Sequence, residues 1–303
     1  MAIPDYQTLM LPVLAAAEDI EEHDASELRE SLAALFRLTE EDRNTLLPSG
    51  RQRTFDNRVR WAIFYLKKAL LIESPRRGVY RITERGQQAL RDKPDRIDNA
   101  FLSRFPEFET FRQRGGPTGE PAEAPPLERA ETPLELFETS YQQLRSQLAD
   151  ELLQRVRSSP PDLLERLVID LLLSMGYGSG KDSGLVLGQS GDGGVDGVIN
   201  EDKLGLDVVY VQAKRWEAGV GRPEIQRFAG SLEGHRASKG VFITTSTFSR
   251  EAREYVRMIG KRIRLIDGVE LAQLMVDYGV AVSEIHSYSL KRVDSDYFAE
   301  EPI

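Results

Sequence analysis

Cysteine is absent from this chain, which excludes disulfide frameworks, thiolate metal sites and cysteine nucleophiles. A reducing, cytoplasmic location fits that absence. Long apolar runs are also missing. The stretch Leu9–Ala17 is broken by Pro12 and preceded by Asp5 with no basic residue, so it does not read as a signal peptide. No run reaches the roughly 20 apolar residues that a membrane-spanning helix needs, and a soluble protein with no membrane partner is expected. Histidine is scarce. His23, His235 and His286 are scattered, and none is assigned a catalytic role. Net positive charge is lacking too: 40 Lys and Arg against 49 Asp and Glu leave −9, the wrong sign overall for a nucleic-acid partner.

The distribution of charge changes that picture. From Arg51 to Arg96 there are 13 basic and 5 acidic side chains, a local charge of +8 that leaves −17 for the rest. A concentrated basic segment in an acidic chain is what a localised phosphate-binding face requires, although a solvated basic surface has the same composition. Residues 115–133, GGPTGEPAEAPPLERAETP, have no apolar periodicity and read as a linker. At 303 residues two domains are expected: a winged-helix DNA-binding domain over 1–98, a linker over 99–134 and a nuclease domain over 135–303.

In the first part, 5–17 and 25–38 read as helices. A third helix is marked by Thr54 as candidate N-cap and by apolar Phe55, Val59, Ala62, Ile63, Leu66 and Leu70 on one face. Its other face carries Asn57, Arg60, Lys67 and Lys68. Two short strands around Pro75-Arg76-Arg77-Gly78 and a helix from Glu84 complete the outline of a winged helix, whose third helix enters a DNA major groove while the hairpin follows the backbone. The candidate DNA contacts are Arg60, Lys67, Lys68, Arg76 and Arg77, with Asn57, Arg60 and Tyr65 as candidates for choosing the base. Around 134–157, Phe137, Tyr141, Leu144, Leu148 and Leu152 recur at helical spacing. Packing of that stripe on the nuclease domain is expected, a homo-oligomer contact being the alternative.

After Pro160 and Pro161 the pattern is that of an α/β domain: a helix over 162–175, a hairpin near 194–214, then helix, strand, helix, strand and helix to 277. A hairpin leading into alternating helices and strands implies a mixed sheet with helices on both faces. In VVYVQAK, residues 208–214, alternation places Tyr210, Gln212 and Lys214 on one face. A hairpin symmetric about Leu204 sets Asp196 opposite Gln212. A carboxylate, an amide oxygen and an ammonium group then meet on one sheet face. This set suits metal-assisted phosphodiester hydrolysis. A hard cation such as Mg²⁺ takes oxygen ligands from Asp196, Gln212 and the Ala213 carbonyl, and Lys214 steadies water or phosphate charge. Glu165, at the edge of the apolar stripe of helix 162–175, is placed to reach towards Asp196, or is an ordinary helix-flank glutamate. Taken singly, each of these residues has an ordinary explanation, Asp196 as a turn residue beside Gly and Gln212 and Lys214 as the end of a core strand. Their spacing together favours the functional reading. GQSGDGGVDG lacks the order of a nucleotide-phosphate loop and runs into a strand; Asp192 within it reads as a loop residue.

The segments SGRQRTFDNRVRWAIFYLKKALLI and RRGVYRITERG, then LLERLVIDLLLSMGYG, GDGGVDGVI, VYVQAKRW, VGRPEIQRFAGSL and GVFITTSTFS, resemble the PD-(D/E)-x-K nuclease superfamily and, within it, the Mrr-like type IV restriction endonucleases. The resemblance spans nearly the whole chain. It implies a Mg²⁺-dependent endodeoxyribonuclease acting on methylated, foreign double-stranded DNA. The family's catalytic Asp falls on Asp196, its Gln-x-Lys on Gln212 and Lys214, and its helix Glu on Glu165. Gln212 stands where the wider superfamily has an acid, which removes one charge from the ion site. A repair or recombination nuclease selecting DNA structure, and a catalytically inactive DNA-binding regulator, are the alternatives.

Overall fold

A computed structural model of the chain describes residues 3–76, 78–113, 130–178, 184–186, 195–202, 204 and 206–294. They fall into two compact units, Met1–Gln142 together with Lys291–Ile303, and Gln143–Leu290.

The first unit opens with α1 (Tyr6–Ala15), started by the Asp5 carboxylate accepting from the Gln7 and Thr8 amides. Next come β1 (His23–Asp24), α2 (Ala25–Leu35) and the short α3 (Glu40–Asn44), opened by a Thr39/Asp42 capping box. α4 (Thr54–Lys68) begins one residue earlier than the sequence reading has it, because Arg53 and not Thr54 is the N-cap. β2 (Ile72–Glu73) and β3 (Val79–Ile82) form the hairpin, β1 pairs with β3, and α5 (Glu84–Arg91) follows. This is the element order expected of a winged helix, with Leu9, Met10, Leu32, Val59 and Leu66 in its core.

Residues 99–113, assigned to a linker from sequence, instead form α6 (Asn99–Leu102) and α7 (Pro106–Gln113). Leu102 and Phe108 are buried in the same core. Two helices this short give too few turns for periodicity to reveal them.

The division between the units falls within α8 (Pro133–Ser158). Its start is held by α4: Thr132 Oγ1 donates to Asn57 Oδ1 at 2.6 Å, and Arg58 pairs with Glu135 at 2.8 Å. The expected apolar stripe does not pack as a whole. Leu152 is buried, but Leu144 is 66% exposed, with Tyr141 and Leu148 also exposed. The buried face is Ala149, Leu152, Leu153 and Val156, so the stripe joins the core only at its last member.

The second unit continues with α9 (Pro161–Ser174), β4 (Gly184–Val186), β5 (Gly197–Asn200), β6 (Val208–Lys214), α10 (Arg222–Gly234), β7 (Lys239–Thr244), α11 (Arg250–Met258), β8 (Arg262–Ile266) and α12 (Gly268–Asp277). The strands lie in that order in one sheet, antiparallel through β6 and parallel from β6 to β8. β4 was not foreseen. Val209, Val211 and Ala213 pack with α9 and α12 on one face, and Tyr210 and Phe242 pack with α10 and α11 on the other. Helices on both faces of a mixed sheet are what the sequence pattern implies.

Candidate active site and its relatives

The hairpin places the central residues. Gly197 pairs with Val211, the last pair of this ladder, and the Asp196 amide donates to the Val211 carbonyl at 2.9 Å, which sets Asp196 at the end of β5 beside the last residues of β6. Gly197 favours glycine, because a Cβ would come within 2.6 Å of the Ile169 Cδ1 and 3.2 Å of the Leu185 carbonyl, and both would have to shift. The ladder is irregular at this point. The Asp196 amide is one residue out of step with the Gly197–Val211 pair, and the regular alternation of an antiparallel ladder does not reach the Ala213 amide. That amide donates instead to Asp196 Oδ2 at 2.8 Å. The aspartate side chain thus takes over a main-chain role and is fixed at the end of β6.

Burial raises the Asp196 carboxyl above the ordinary range, while the Ala213 amide and Lys214 oppose the shift. Glu165 is raised as well, first by burial and then by the charges of Asp196 and Asp162, with Lys214 opposing. The structure therefore brings Glu165, on α9, into the electrostatic reach of Asp196 and Lys214 on the sheet. Gln212 is 6% exposed. Among the described residues no group of three or more His, Cys, Asp or Glu side chains could hold a metal. A cation here would rest on two carboxylates and neutral oxygens. That donor set fits a hard divalent ion, which takes oxygen ligands, and Lys214 only partly offsets the causes that raise both carboxylates.

The first unit revises the proposed DNA face. Asn57 is 1% exposed and bonded to Thr132. Tyr65 packs among Tyr6, Trp61, Phe108 and Phe111, and burial pushes its hydroxyl pKa up to about 12. Neither residue faces a groove: α7, not expected from sequence, packs against Tyr65, and Thr132, just before α8, covers Asn57. Lys68 stands 5.2 Å from the rings of both Phe64 and Phe111. Arg76 pairs with Glu22 at 3.1 Å, and Arg77 lies outside the described residues. Arg60 and Lys67 are exposed, without an ion-pair partner among the described residues. Two exposed cations missed in the sequence join them: Arg53 and, on the turn before it, Arg51. Arg53, Arg60 and Lys67 are seven residues apart, a spacing that drifts only about 20° per step and sets the charges about 10.5 Å apart in one row. That spacing was the available signal.

The comparisons agree with this division. Residues 156–275 match the restriction endonuclease family model, and residues 6–92 match the model of the Mrr N-terminal domain. A relative from Escherichia coli (strain K12), the type IV methyl-directed restriction enzyme EcoKMrr, is 35% identical over 306 residues, covering 98% of this chain and 100% of its own. The chain belongs to the Mrr family of restriction endonucleases. Solved structures similar to this Mrr-family chain include MspJI with a 27-mer oligonucleotide (26% identical, TM-score 0.30, 50% of this chain and 33% of that one). Another is the DNA modification-dependent restriction endonuclease AspBHI (17% identical, TM-score 0.37, 68% of this chain and 53% of that one). No helix among the described residues is long and apolar enough to cross a membrane. As a member of the Mrr family the protein is an endodeoxyribonuclease.

Proposed function

We propose that this Mrr-family enzyme restricts foreign DNA in the cytoplasm by cutting double-stranded DNA that carries methylated bases, using Mg²⁺. The observation that carries the catalytic half is the partly buried Asp196, held by the Ala213 amide at the end of β6, with Glu165 and Lys214 within its electrostatic reach. Glu165, Asp196 and the Gln212 amide oxygen would hold the ion. When bound, Mg²⁺ supplies Lewis acidity to the scissile phosphate and acidifies water. The protein does the rest. Asp196 is oriented by the Ala213 amide, and Lys214 offsets charge that builds on the phosphate. The methyl requirement follows the relative's description as methyl-directed.

The first unit is the reader. Arg51, Arg53, Arg60 and Lys67 supply the phosphate and groove contacts, and Arg60 is the one earlier base-reading candidate that remains exposed. Arg76 is a weaker contact because Glu22 already holds it. The reading domain runs to about Gln113, since α6 and α7 complete its core.

The test is cleavage of plasmids carrying different methylation patterns by the full-length protein, with and without Mg²⁺. Methylated plasmid is cut only with the ion, and Asp196→Ala and Lys214→Ala abolish cutting while DNA binding persists. Equal cutting of unmethylated plasmid refutes the substrate, and undiminished cutting by either variant refutes the site.

A further inference from the structure

From the last residue of β7 the chain reads Thr244-Thr245-Ser246, three consecutive hydroxyl residues, all buried. Buried hydroxyls are costly unless bonded, and valine would serve a buried strand end equally well. Each of the three is bonded to the chain leaving β6. Thr244 Oγ1 donates to the Lys214 carbonyl at 2.9 Å, Thr245 Oγ1 to the Trp216 carbonyl at 3.0 Å, and Ser246 Oγ to the Glu217 carbonyl at 2.9 Å. Thr244 is also the register partner of Lys214. Its hydroxyl accepts the Ser246 amide at 3.2 Å, and the Thr245 amide gives the Lys214 carbonyl a second donor at 3.2 Å.

The segment is in turn immobilised from two other elements. Arg157, on α8, donates from Nε and Nη2 to the Thr245 carbonyl at 3.0 and 2.7 Å. The Gly268 amide, at the start of α12, donates to the Ser246 carbonyl at 2.8 Å. A Cβ on Gly268 would lie 2.4 Å from the Thr245 carbonyl oxygen, so this approach depends on glycine. The hydroxyls continue the β6–β7 ladder past the point where the strands end, and they do so at the residue that carries the site's ammonium group.

We infer that Thr244 is a positioning residue for Lys214. Its hydroxyl fixes the Lys214 carbonyl and so the root of the side chain, with Thr245 and Ser246 holding the two following turns of the chain. This rests on the reading of Lys214 as the group that acts at the phosphate. The Thr244 side chain does not touch substrate; it acts through the main chain of its neighbour. A reacting group displaced by about 1 Å loses on the order of 100-fold in rate, and a shift in the Lys214 main chain is passed directly to its side chain.

The experiment uses full-length protein and methylated plasmid, with cleavage rate at saturating enzyme, DNA Kd without Mg²⁺, the Mg²⁺ concentration for half-maximal rate, and melting temperature. Thr244→Val should lower the rate about 10- to 100-fold while Kd and the half-maximal Mg²⁺ stay within about twofold. Thr244→Ser, which restores the hydroxyl, should recover most of the rate. Thr244→Ala removes the donor without pressing a methyl on the carbonyl and carries the same expectation as Thr244→Val, so it decides the matter if that variant does not fold. Ser246→Ala, two residues further on, should lose less. Wild-type rate in both Thr244→Val and Thr244→Ala, with Lys214→Ala inactive, overturns the positioning role alone. An active Lys214→Ala overturns the reading beneath it. Failure of Thr244→Ser to recover, or a rate loss matched by the loss of DNA binding, shows that the hydroxyl serves only the fold.

Discussion

Asn57→Ala separates two roles for one residue, reader of DNA or clasp of the long helix. The amide is 1% exposed and its Oδ1 accepts from Thr132 Oγ1 at 2.6 Å, with Thr132 itself fully buried. Truncation leaves that hydroxyl proton without its acceptor, a cost of about 1–3 kcal/mol, and leaves a small void that adds about 1 kcal/mol. A net loss of about 2–3 kcal/mol corresponds to a fall in Tm of roughly 6–15 °C for a unit of this size. The assay is urea or thermal unfolding followed by tryptophan fluorescence. The only two tryptophans are Trp61 and Trp216, one in each unit, so a Trp216→Phe background isolates the transition of the first. Thr132→Val should destabilise similarly, and the double variant should show a coupling of about 1 kcal/mol. DNA affinity and methylation preference, measured by anisotropy well below the transition, should stay within about threefold of wild type, since the change leaves the exposed row on α4 intact. A stability loss below about 0.5 kcal/mol combined with lost methylation preference would refute the reasoning and restore Asn57 to the DNA face.

Other outcomes follow from the same geometry. With Glu165 and Asp196 both raised above their ordinary values, their contribution to stability is fully present below the unfolded carboxylate pKa near 4 and is lost as pH rises through the folded values. Metal-free Glu165→Gln and Asp196→Asn should therefore melt higher than wild type at pH 7, and Mg²⁺ should raise the Tm of wild type but not of Asp196→Ala; lower melting of both neutral variants contradicts the cited shifts. Gln212→Glu adds a charged oxygen, so half-maximal Mg²⁺ should fall or stay equal, and a marked rise in a titration would remove Gln212 from the ligand set. Arg53→Ala and Lys67→Ala should each flatten the log–log salt dependence of DNA binding by about 1, with Arg76→Ala changing it less; the reverse ranking in anisotropy titrations would return the main contact to the hairpin. A fragment of residues 1–98 loses buried Leu102 and Phe108 and should unfold at lower urea than residues 1–142, an order that circular dichroism reads directly.

How much of this was legible beforehand depends on the range of the interaction. The alternation of VVYVQAK and the symmetry of its hairpin are set within 20 residues; they give the observed pairing of Gly197–Asn200 with β6 and put Gln212 and Lys214 on one side of it, because a period of two leaves no other choice of face. The periodicity of α4 and α9 likewise marks their buried sides, and the local excess of base marks a charged region. Sequence could not say which of those bases are free. Glu22, Glu135 and Glu107 meet Arg76, Arg58 and Arg85 from 22 to 77 residues away, and only the folded chain selects the row Arg53, Arg60 and Lys67. Asn57 reads as an exposed polar position on a helix until Thr132, just before α8, is seen to cover it. Thr244 reads as an ordinary strand end until β7 is laid beside β6. By itself, then, the sequence determined the type of the long periodic elements and the hairpin register from Gly197 to Asn200, both consequences of local periodicity, while α6, α7 and β4 escaped it. Tertiary structure alone decided which polar groups face one another, because a hydrogen bond between distant segments depends on where the intervening chain has folded.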